Sequence, residues 1–128
     1  MPEVSHERHV LFVYGSLKRG AENHRWLKEQ HFLANAQTGP GYRMYELDGY
    51  PGMLRDGGSA DYVTGEIWDV TAAALLELDA FEGVDIGLYR RETVVLAPPH
   101  NVLTAEAYIF AGAVVGRKLL GHTWSDPC

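Results

Sequence analysis

The chain has 128 residues, 46% of them apolar, so it is long enough for one domain with one sizeable core. Its formal net charge of −6 argues against a nucleic-acid partner, because no Lys/Arg cluster longer than Arg90-Arg91 is present to neutralise phosphates. The single cysteine, Cys128, excludes an intramolecular disulfide, and no segment approaches the roughly 20 apolar residues that span a bilayer. We expect one soluble, cytoplasmic domain over residues 1–128, with 1–8 as a loose tail and the oligomeric state left open.

The first half of the chain alternates apolar runs with turn residues. A nearly all-apolar run at 9–14 predicts a short strand that is buried on both faces. A turn follows at 18–20, and 22–32 is expected to be helical, with Trp26, Leu27 and Phe32 facing inward. Later signals predict a loop at 38–41, a strand at 42–47, a turn at Asp48-Gly49 and an extended segment at 50–54.

The second half contains the clearest helix. Thr71 is a suitable N-cap for a helix over 72–81, whose Leu75, Leu78 and Phe81 recur on one face, and Gly83 can end that helix. The flanking segments predict a strand at 62–70, a strand at 88–97, a tight connection at 98–101, a hairpin partner at 102–110 and a short strand or helix within 114–120.

These elements amount to five or six strands and two helices, and they do not follow a strict βαβ order. Fourteen glycines and six prolines favour turns and strands over a helical bundle. We therefore predict an α+β fold: a small, mostly antiparallel, partly closed β-barrel flanked by helices.

The end of the first strand is a candidate anion site. Tyr14, Gly15, Ser16 and Leu17 follow the strand, where backbone N–H groups lose their ladder partners. Successive free N–H groups can form a concave anion site, and Gly15 has no Cβ to obstruct a ligand. The sequence thus predicts a pocket for a small metabolite that carries a carboxylate. The alternative is an ordinary turn between a strand and a helix.

Glu82 is the leading catalytic candidate. It lies at the C-terminal end of the predicted helix, between Phe81 and Gly83. The negative end of a helix disfavours another negative charge, and an apolar neighbour adds desolvation if the site is covered. Both effects raise the pKa of a carboxyl group, which suits a general base that must also return its proton. The alternative is a solvated glutamate on the surface.

The other chemically capable residues point to fewer functions. Tyr89 and Tyr108 fall on strands near the Glu82 turn and are expected to contact a ligand, although tyrosines in strands are also simply half-buried β-formers. The six histidines are scattered without metal-ligand spacing, and no glycine-rich phosphate or dinucleotide loop is present. We expect no metal site and no cofactor.

Several motifs in the same order resemble the γ-glutamylcyclotransferase-like family, which includes the γ-glutamylamine cyclotransferases and the AIG2-like proteins. The resemblance covers roughly residues 10–112. The matching segments are Tyr14-Gly15-Ser16-Leu17-Lys18-Arg19-Gly20 with Asn23-His24, Tyr50-Pro51-Gly52, Val63-Thr64-Gly65-Glu66-Ile67-Trp68, Leu78-Asp79-Ala80-Phe81-Glu82-Gly83, Tyr89-Arg90-Arg91 and Ala107-Tyr108-Ile109.

This resemblance implies a fold, a reaction and roles for particular residues. The implied fold is a small β-barrel flanked by helices, and the implied reaction releases 5-oxoproline and an amine from a γ-glutamyl compound without a cofactor. Glu82 matches the family's catalytic glutamate, and Tyr14 to Leu17 match its substrate-anchoring loop. Residues 115–128 match no motif of the family, which leaves the leaving amine open, although we expect the γ-glutamylamine type.

Two other functions remain open at this point. The same pocket could belong to a non-catalytic module that senses a small γ-glutamyl acid, with Glu82 as a charge partner for an amine. The chain could also be a protein–protein interaction domain, which predicts a flat, open surface around Glu82.

Overall fold

The computed structural model describes residues 8–125. Within them, seven strands and one α-helix follow one another along the chain. The strands are β1 (Arg8–Val13), β2 (His31–Gln37), β3 (Tyr42–Glu46), β4 (Pro51–Arg55), β5 (Thr64–Thr71), β6 (Tyr89–Val94) and β7 (Ala105–Phe110), and the helix is α1 (Ala72–Phe81). No helix in this part of the chain has the length and apolarity needed to cross a membrane.

All seven strands belong to one mixed sheet. Its order is β2-β5-β1-β7-β4-β3, and β6 also pairs with β7. Strand β7 runs parallel to β1 and β4, whereas the β1–β5, β2–β5, β3–β4 and β6–β7 pairs are antiparallel. The mixed α+β prediction is confirmed. The strands do not close into a barrel, so the partly closed barrel is not confirmed.

Both faces of the sheet are buried, which explains why β1 is almost wholly apolar. Phe12 and Ile67 belong to one apolar cluster, and Leu11 and Trp68 belong to the other. Alternate residues of a strand point to opposite faces, so neighbouring apolar residues on β1 and β5 enter different clusters. Helix α1 buries Ala74, Leu75 and Leu78 in the second cluster.

Helix α1 forms as its sequence predicts. The Thr71 side chain accepts a hydrogen bond of 3.1 Å from the Ala74 backbone N–H, as an N-cap does. Gly83 adopts the left-handed conformation, at φ 70°, directly after the helix. Phe81 does not join the core as expected: it is 38% exposed and packs against the Trp26 ring, with the ring centroids 4.9 Å apart.

The predicted helix at 22–32 is wrong. Only His24–Leu27 form a short 3-10 helix, and Phe32 lies in β2, which pairs with β5. Phe32 packs edge-on against Trp68, with ring centroids 5.5 Å apart, and the Arg19 guanidinium lies 3.7 Å from its ring centroid. These contacts are long-range and favour extended backbone over any local helical preference.

The remaining predictions differ mainly at their boundaries. The strand at 62–70 begins at Thr64, the strand at 88–97 is β6, and the hairpin partner at 102–110 begins at Ala105 after a 3-10 turn. Segment 114–120 is neither a regular strand nor a helix, although Leu119 forms a single bridge with Tyr45. The expected tail at 1–8 falls almost entirely outside the described residues.

Candidate active site

One cavity of about 430 Å³ contains all of the predicted site residues. Glu82 reaches it from the end of α1, and Tyr89 and Tyr108 from β6 and β7. The loop after β1 closes the opposite side with residues 14–17. A recess of this size suits a small metabolite, and it replaces the flat surface that a protein–protein interaction domain predicts around Glu82.

The loop at 14–17 is held by the segment that follows it. The Lys18 backbone N–H donates to the Gly15 carbonyl at 3.1 Å, which makes a tight turn. Asn23 binds Ser16 twice, through its backbone N–H to the carbonyl and through its side-chain amide to the hydroxyl, both at 2.9 Å. Nδ1 of His24 lies 3.0 Å from the Leu17 carbonyl oxygen. The loop is therefore rigid before any ligand arrives.

The amide groups of this loop are available to a ligand. Within residues 8–125, no acceptor takes a hydrogen bond from the backbone N–H of Gly15, Ser16 or Leu17. Three successive amides without protein acceptors, beside a cavity, match the anion cradle predicted from the sequence. They can receive a carboxylate or a developing oxyanion.

Glu66 ties the far end of the loop to the sheet. Its buried carboxylate accepts from the Arg19 backbone N–H, the Arg19 Nε and the Trp68 indole N–H, each at 3.1 Å. Three donors satisfy a carboxylate that is only 7% exposed. The Gly-Glu motif of β5 thus fixes the turn that presents the cradle.

Gly15 is required by a close approach of Pro51. A Cβ on residue 15 would lie 2.8 Å from Cγ of Pro51, inside the van der Waals limit. The backbone of Gly15 does not need a left-handed conformation, so the sequence argument holds only for space. Pro51 also accepts a hydrogen bond of 2.9 Å from the Tyr89 hydroxyl at its carbonyl, which links the Tyr-Pro segment to the cavity wall.

The Glu82 carboxyl has the environment of an acid/base group. Burial raises its pKa from 4.5 to about 7, and no hydrogen bond or positive charge within the described residues contributes to the shift. A carboxyl with a pKa near neutrality exists in both protonation states at physiological pH. It can therefore accept a proton and release it again, as the sequence predicted.

The three tyrosines of the cavity are buried and their hydroxyl protons are already donated. The Tyr14 hydroxyl donates to the Tyr108 carbonyl at 2.7 Å, and the Tyr89 hydroxyl donates to Pro51. The Tyr108 hydroxyl donates to Oδ1 of Asp79 at 2.7 Å. Tyr89 and Tyr108 can therefore offer a ligand an oxygen lone pair or a ring, but not a free hydroxyl donor.

Sequence reasoning missed one wall of the cavity. Trp124 lies in the segment that matched no motif, yet it is 7% exposed, lines the cavity and accepts a hydrogen bond of 2.6 Å from Lys18 Nζ at its carbonyl. A tryptophan in an otherwise polar, glycine-containing tail was the only signal for it. Glu22, Asp48 and Tyr50 also line the cavity, and their exposure places them at its rim.

No potential metal site accompanies these groups. Across residues 8–125, no three His, Cys, Asp or Glu side chains are grouped so that they could hold one ion.

Relatives of known sequence and structure agree with this arrangement. The YtfP protein of Escherichia coli K12, described as a gamma-glutamylcyclotransferase family protein, is 32% identical over 117 residues, which cover 91% of this chain and 96% of that one. The gamma-L-glutamyl-butirosin B gamma-glutamyl cyclotransferase of Niallia circulans is 35% identical over 72 residues, 56% of this chain and 44% of that one. The crystal structure of an AIG2-like protein from Mus musculus superposes with a TM-score of 0.73 at 27% identity, covering 83% of this chain and 79% of that one.

The match to the family itself is nearly complete. The sequence model described as "Gamma-glutamyl cyclotransferase, AIG2-like" aligns with residues 11–126, so it extends past residue 112, where the recognised motifs end, and includes Trp124. The chain belongs to the γ-glutamylcyclotransferase family of AIG2-like proteins.

Proposed function

We propose that this protein is an enzyme that releases 5-oxoproline and a free amine from a γ-glutamylamine. The observation that carries the proposal is the pairing, in one cavity, of the buried Glu82 carboxyl with the unbonded amides of residues 15–17. The substrate contains both its own nucleophile, the α-amine, and its own electrophile, the γ-carbonyl. The enzyme has only to fold the glutamyl group, move protons and stabilise an oxyanion.

The cavity offers a partner for each charged part of the glutamyl group. The α-ammonium is placed against Glu82, which is an anion in the base form. The amides of Gly15 to Leu17 bind the α-carboxylate or the oxyanion that develops on the γ-carbonyl oxygen. A single oxyanion donor typically contributes about 3 kcal/mol to the stability of a transition state, and holding the amine beside the carbonyl adds the positional contribution.

The proton balance assigns Glu82 a shuttling role. The α-ammonium nitrogen carries three protons and the lactam nitrogen of 5-oxoproline carries one, so two protons must pass to the departing nitrogen. Glu82 takes a proton from the ammonium, and the freed lone pair attacks the γ-carbonyl carbon. As the bond between that carbon and the leaving nitrogen breaks, the carboxyl delivers its proton and the product departs as an ammonium ion.

The lining of the cavity favours an amine without a strong negative charge as the leaving group. Among the described residues that line it, none is Lys or Arg, whereas Glu22 and Asp48 stand at the rim. Carboxylates at a cavity mouth attract cations and repel anions. A leaving amine with a further positive charge is therefore favoured over one that carries a carboxylate alone.

The decisive experiment measures 5-oxoproline by mass spectrometry after incubation with γ-glutamyl derivatives of a simple alkylamine, a diamine and several amino acids. A reaction without enzyme corrects for spontaneous cyclisation. We expect turnover by the unmodified protein and a loss of at least a hundredfold in Glu82→Gln, because the amide cannot carry a proton. Glu77→Gln, an exposed carboxyl on the same helix, is the matched control and should retain full activity.

Two outcomes would contradict the proposal. Equal turnover by the unmodified protein and Glu82→Gln would remove the acid/base role from this residue. Tight binding of the γ-glutamyl compounds in calorimetry, without release of 5-oxoproline from any of them, would instead identify a sensing module.

A further inference from the structure

The Tyr108 hydroxyl group is next to two carboxylates and donates to only one of them. Asp79 and Glu82 are three residues apart at the end of α1, and side chains with this spacing lie on the same face of a helix. Tyr108 lines the cavity together with Glu82, but its hydroxyl donates to Oδ1 of Asp79 at 2.7 Å. The choice matters because a hydrogen bond to Glu82 would stabilise its charged form.

Asp79 is held as a strong acceptor by a fixed cation. Nε of Arg91 lies 2.8 Å from Oδ1 of Asp79 and Nη2 lies 3.1 Å from Oδ2, a two-point contact that fixes the plane of the carboxylate. Arg91 is itself anchored by Glu106, at 2.6 Å from Nη1. Burial acts to raise the pKa of Asp79, but the hydrogen bonds from Arg91 and Tyr108 outweigh it, so the pKa lies below its ordinary value.

The other two tyrosines are directed away from Glu82 by backbone acceptors, which no substitution of a side chain removes. Tyr14 donates to the Tyr108 carbonyl and Tyr89 donates to the Pro51 carbonyl. Tyr108 is the exception, because its acceptor is a side chain. The direction of its hydroxyl therefore depends on the identity of residue 79.

We propose that Asp79 is a positioning residue that captures the Tyr108 hydroxyl proton and so keeps the Glu82 carboxylate free of a protein donor until substrate binds. Its relevance to catalysis rests on the proposed function. Asp79 touches no reacting atom in this account, and it acts through Tyr108. With its proton committed to Asp79, the Tyr108 oxygen presents only lone pairs to the cavity, where it can accept from the substrate ammonium beside Glu82.

The direct test is the ionisation of Glu82 in the protein without substrate. The side-chain carboxyl carbon of Glu82 is assigned in a ¹³C NMR spectrum by its absence from Glu82→Gln, and it is then titrated from pH 4 to pH 9. The other titratable groups that line the cavity are those of Tyr14, Tyr89, Tyr108, Glu22 and Asp48. Because no turnover is measured, the result is independent of whether the protein releases 5-oxoproline.

Three variants separate the proposal from its alternative. In Asp79→Ala the hydroxyl is free to donate to Glu82, and we expect the pKa of Glu82 to fall by about one to two units. In Tyr108→Phe there is no donor, so the titration should match that of the unmodified protein. In the double variant, Asp79→Ala with Tyr108→Phe, we expect the pKa of Glu82 to return to about 7.

The double variant also tests the charge of Arg91. Removing Asp79 leaves that cation without its partner, and an unpaired cation would itself lower the pKa of a nearby carboxyl. If the fall in Asp79→Ala persists in the double variant, Arg91 is the cause and the proposal is overturned. An unchanged titration in Asp79→Ala overturns it as well.

A milder substitution carries the same test if Asp79→Ala does not fold. Asp79→Asn keeps an acceptor oxygen but loses the charge, so the pKa of Glu82 should fall by less, and Tyr108→Phe should again reverse the fall. A fall that Tyr108→Phe does not reverse, or no fall at all, counts against the proposal here too. Where turnover is observed, the acidic limb of the kcat/KM profile should move with the titration.

Discussion

Replacing Glu82 by glutamine is expected to stabilise the protein at alkaline pH while changing its stability little at pH 4.5. The folded state holds the proton of this carboxyl more tightly than the unfolded chain does, because burial raises its pKa from 4.5 to about 7. Protonated Glu82 is therefore well tolerated by the fold, and stability is lost as the pH rises through about 7. Glutamine resembles the protonated acid and carries no such penalty.

The magnitude follows from the shift. A displacement from 4.5 to about 7 corresponds to about 3 kcal/mol of unfolding free energy, present in full only above the folded pKa. At pH 4.5 the same calculation leaves less than about 0.5 kcal/mol between the two proteins. For a chain of this size, about 3 kcal/mol corresponds to a difference of roughly 10 °C in Tm.

Thermal and urea unfolding of the unmodified protein and of Glu82→Gln, at pH 4.5 and pH 8.5, would measure this difference. Glu77→Gln on the exposed face of α1 serves as the control, and its effect should be small at both pH values. Equal stabilisation by Glu82→Gln at both pH values, or none at pH 8.5, would refute the argument, because the carboxyl would then not be desolvated in the fold.

Three further predictions concern the loop, the core and the rate. Gly15→Ala forces a Cβ into space that is already filled and should cost about 1–3 kcal/mol in urea unfolding and raise KM, whereas Gly58→Ala, in open space, should do neither. Leu78→Ala removes a fully buried side chain and should lower the unfolding free energy by about 2–5 kcal/mol, whereas Leu76→Ala, at a position 71% exposed, should change it by less than about 0.5 kcal/mol. Initial rates between pH 5 and pH 9 should show kcat/KM rising through about pH 7 as Glu82 ionises to its base form; a rate independent of pH there would contradict the assigned role.

Local signals were sufficient for some elements and misleading for others. Helix α1 has an N-cap, an apolar face and a terminal glycine within a single segment, and all three act in the structure. The β6–β7 hairpin likewise joins neighbouring segments. Residues 22–32 have helical spacing too, but Phe32 gains more from pairing and packing in β2 than from a local helix. Nothing inside that segment records this competition.

The sequence by itself determined which chemical groups are available: a turn with exposed amides after β1, a glutamate at a capped helix end, and the ordered motifs that mark the family. Only the tertiary structure decided that these groups share one cavity, that Trp124 completes its wall, and that Asp79 rather than Glu82 receives the Tyr108 hydroxyl proton. The physical reason is that proximity, desolvation and the direction of a hydroxyl depend on contacts between residues far apart in the chain, and no short segment encodes them alone.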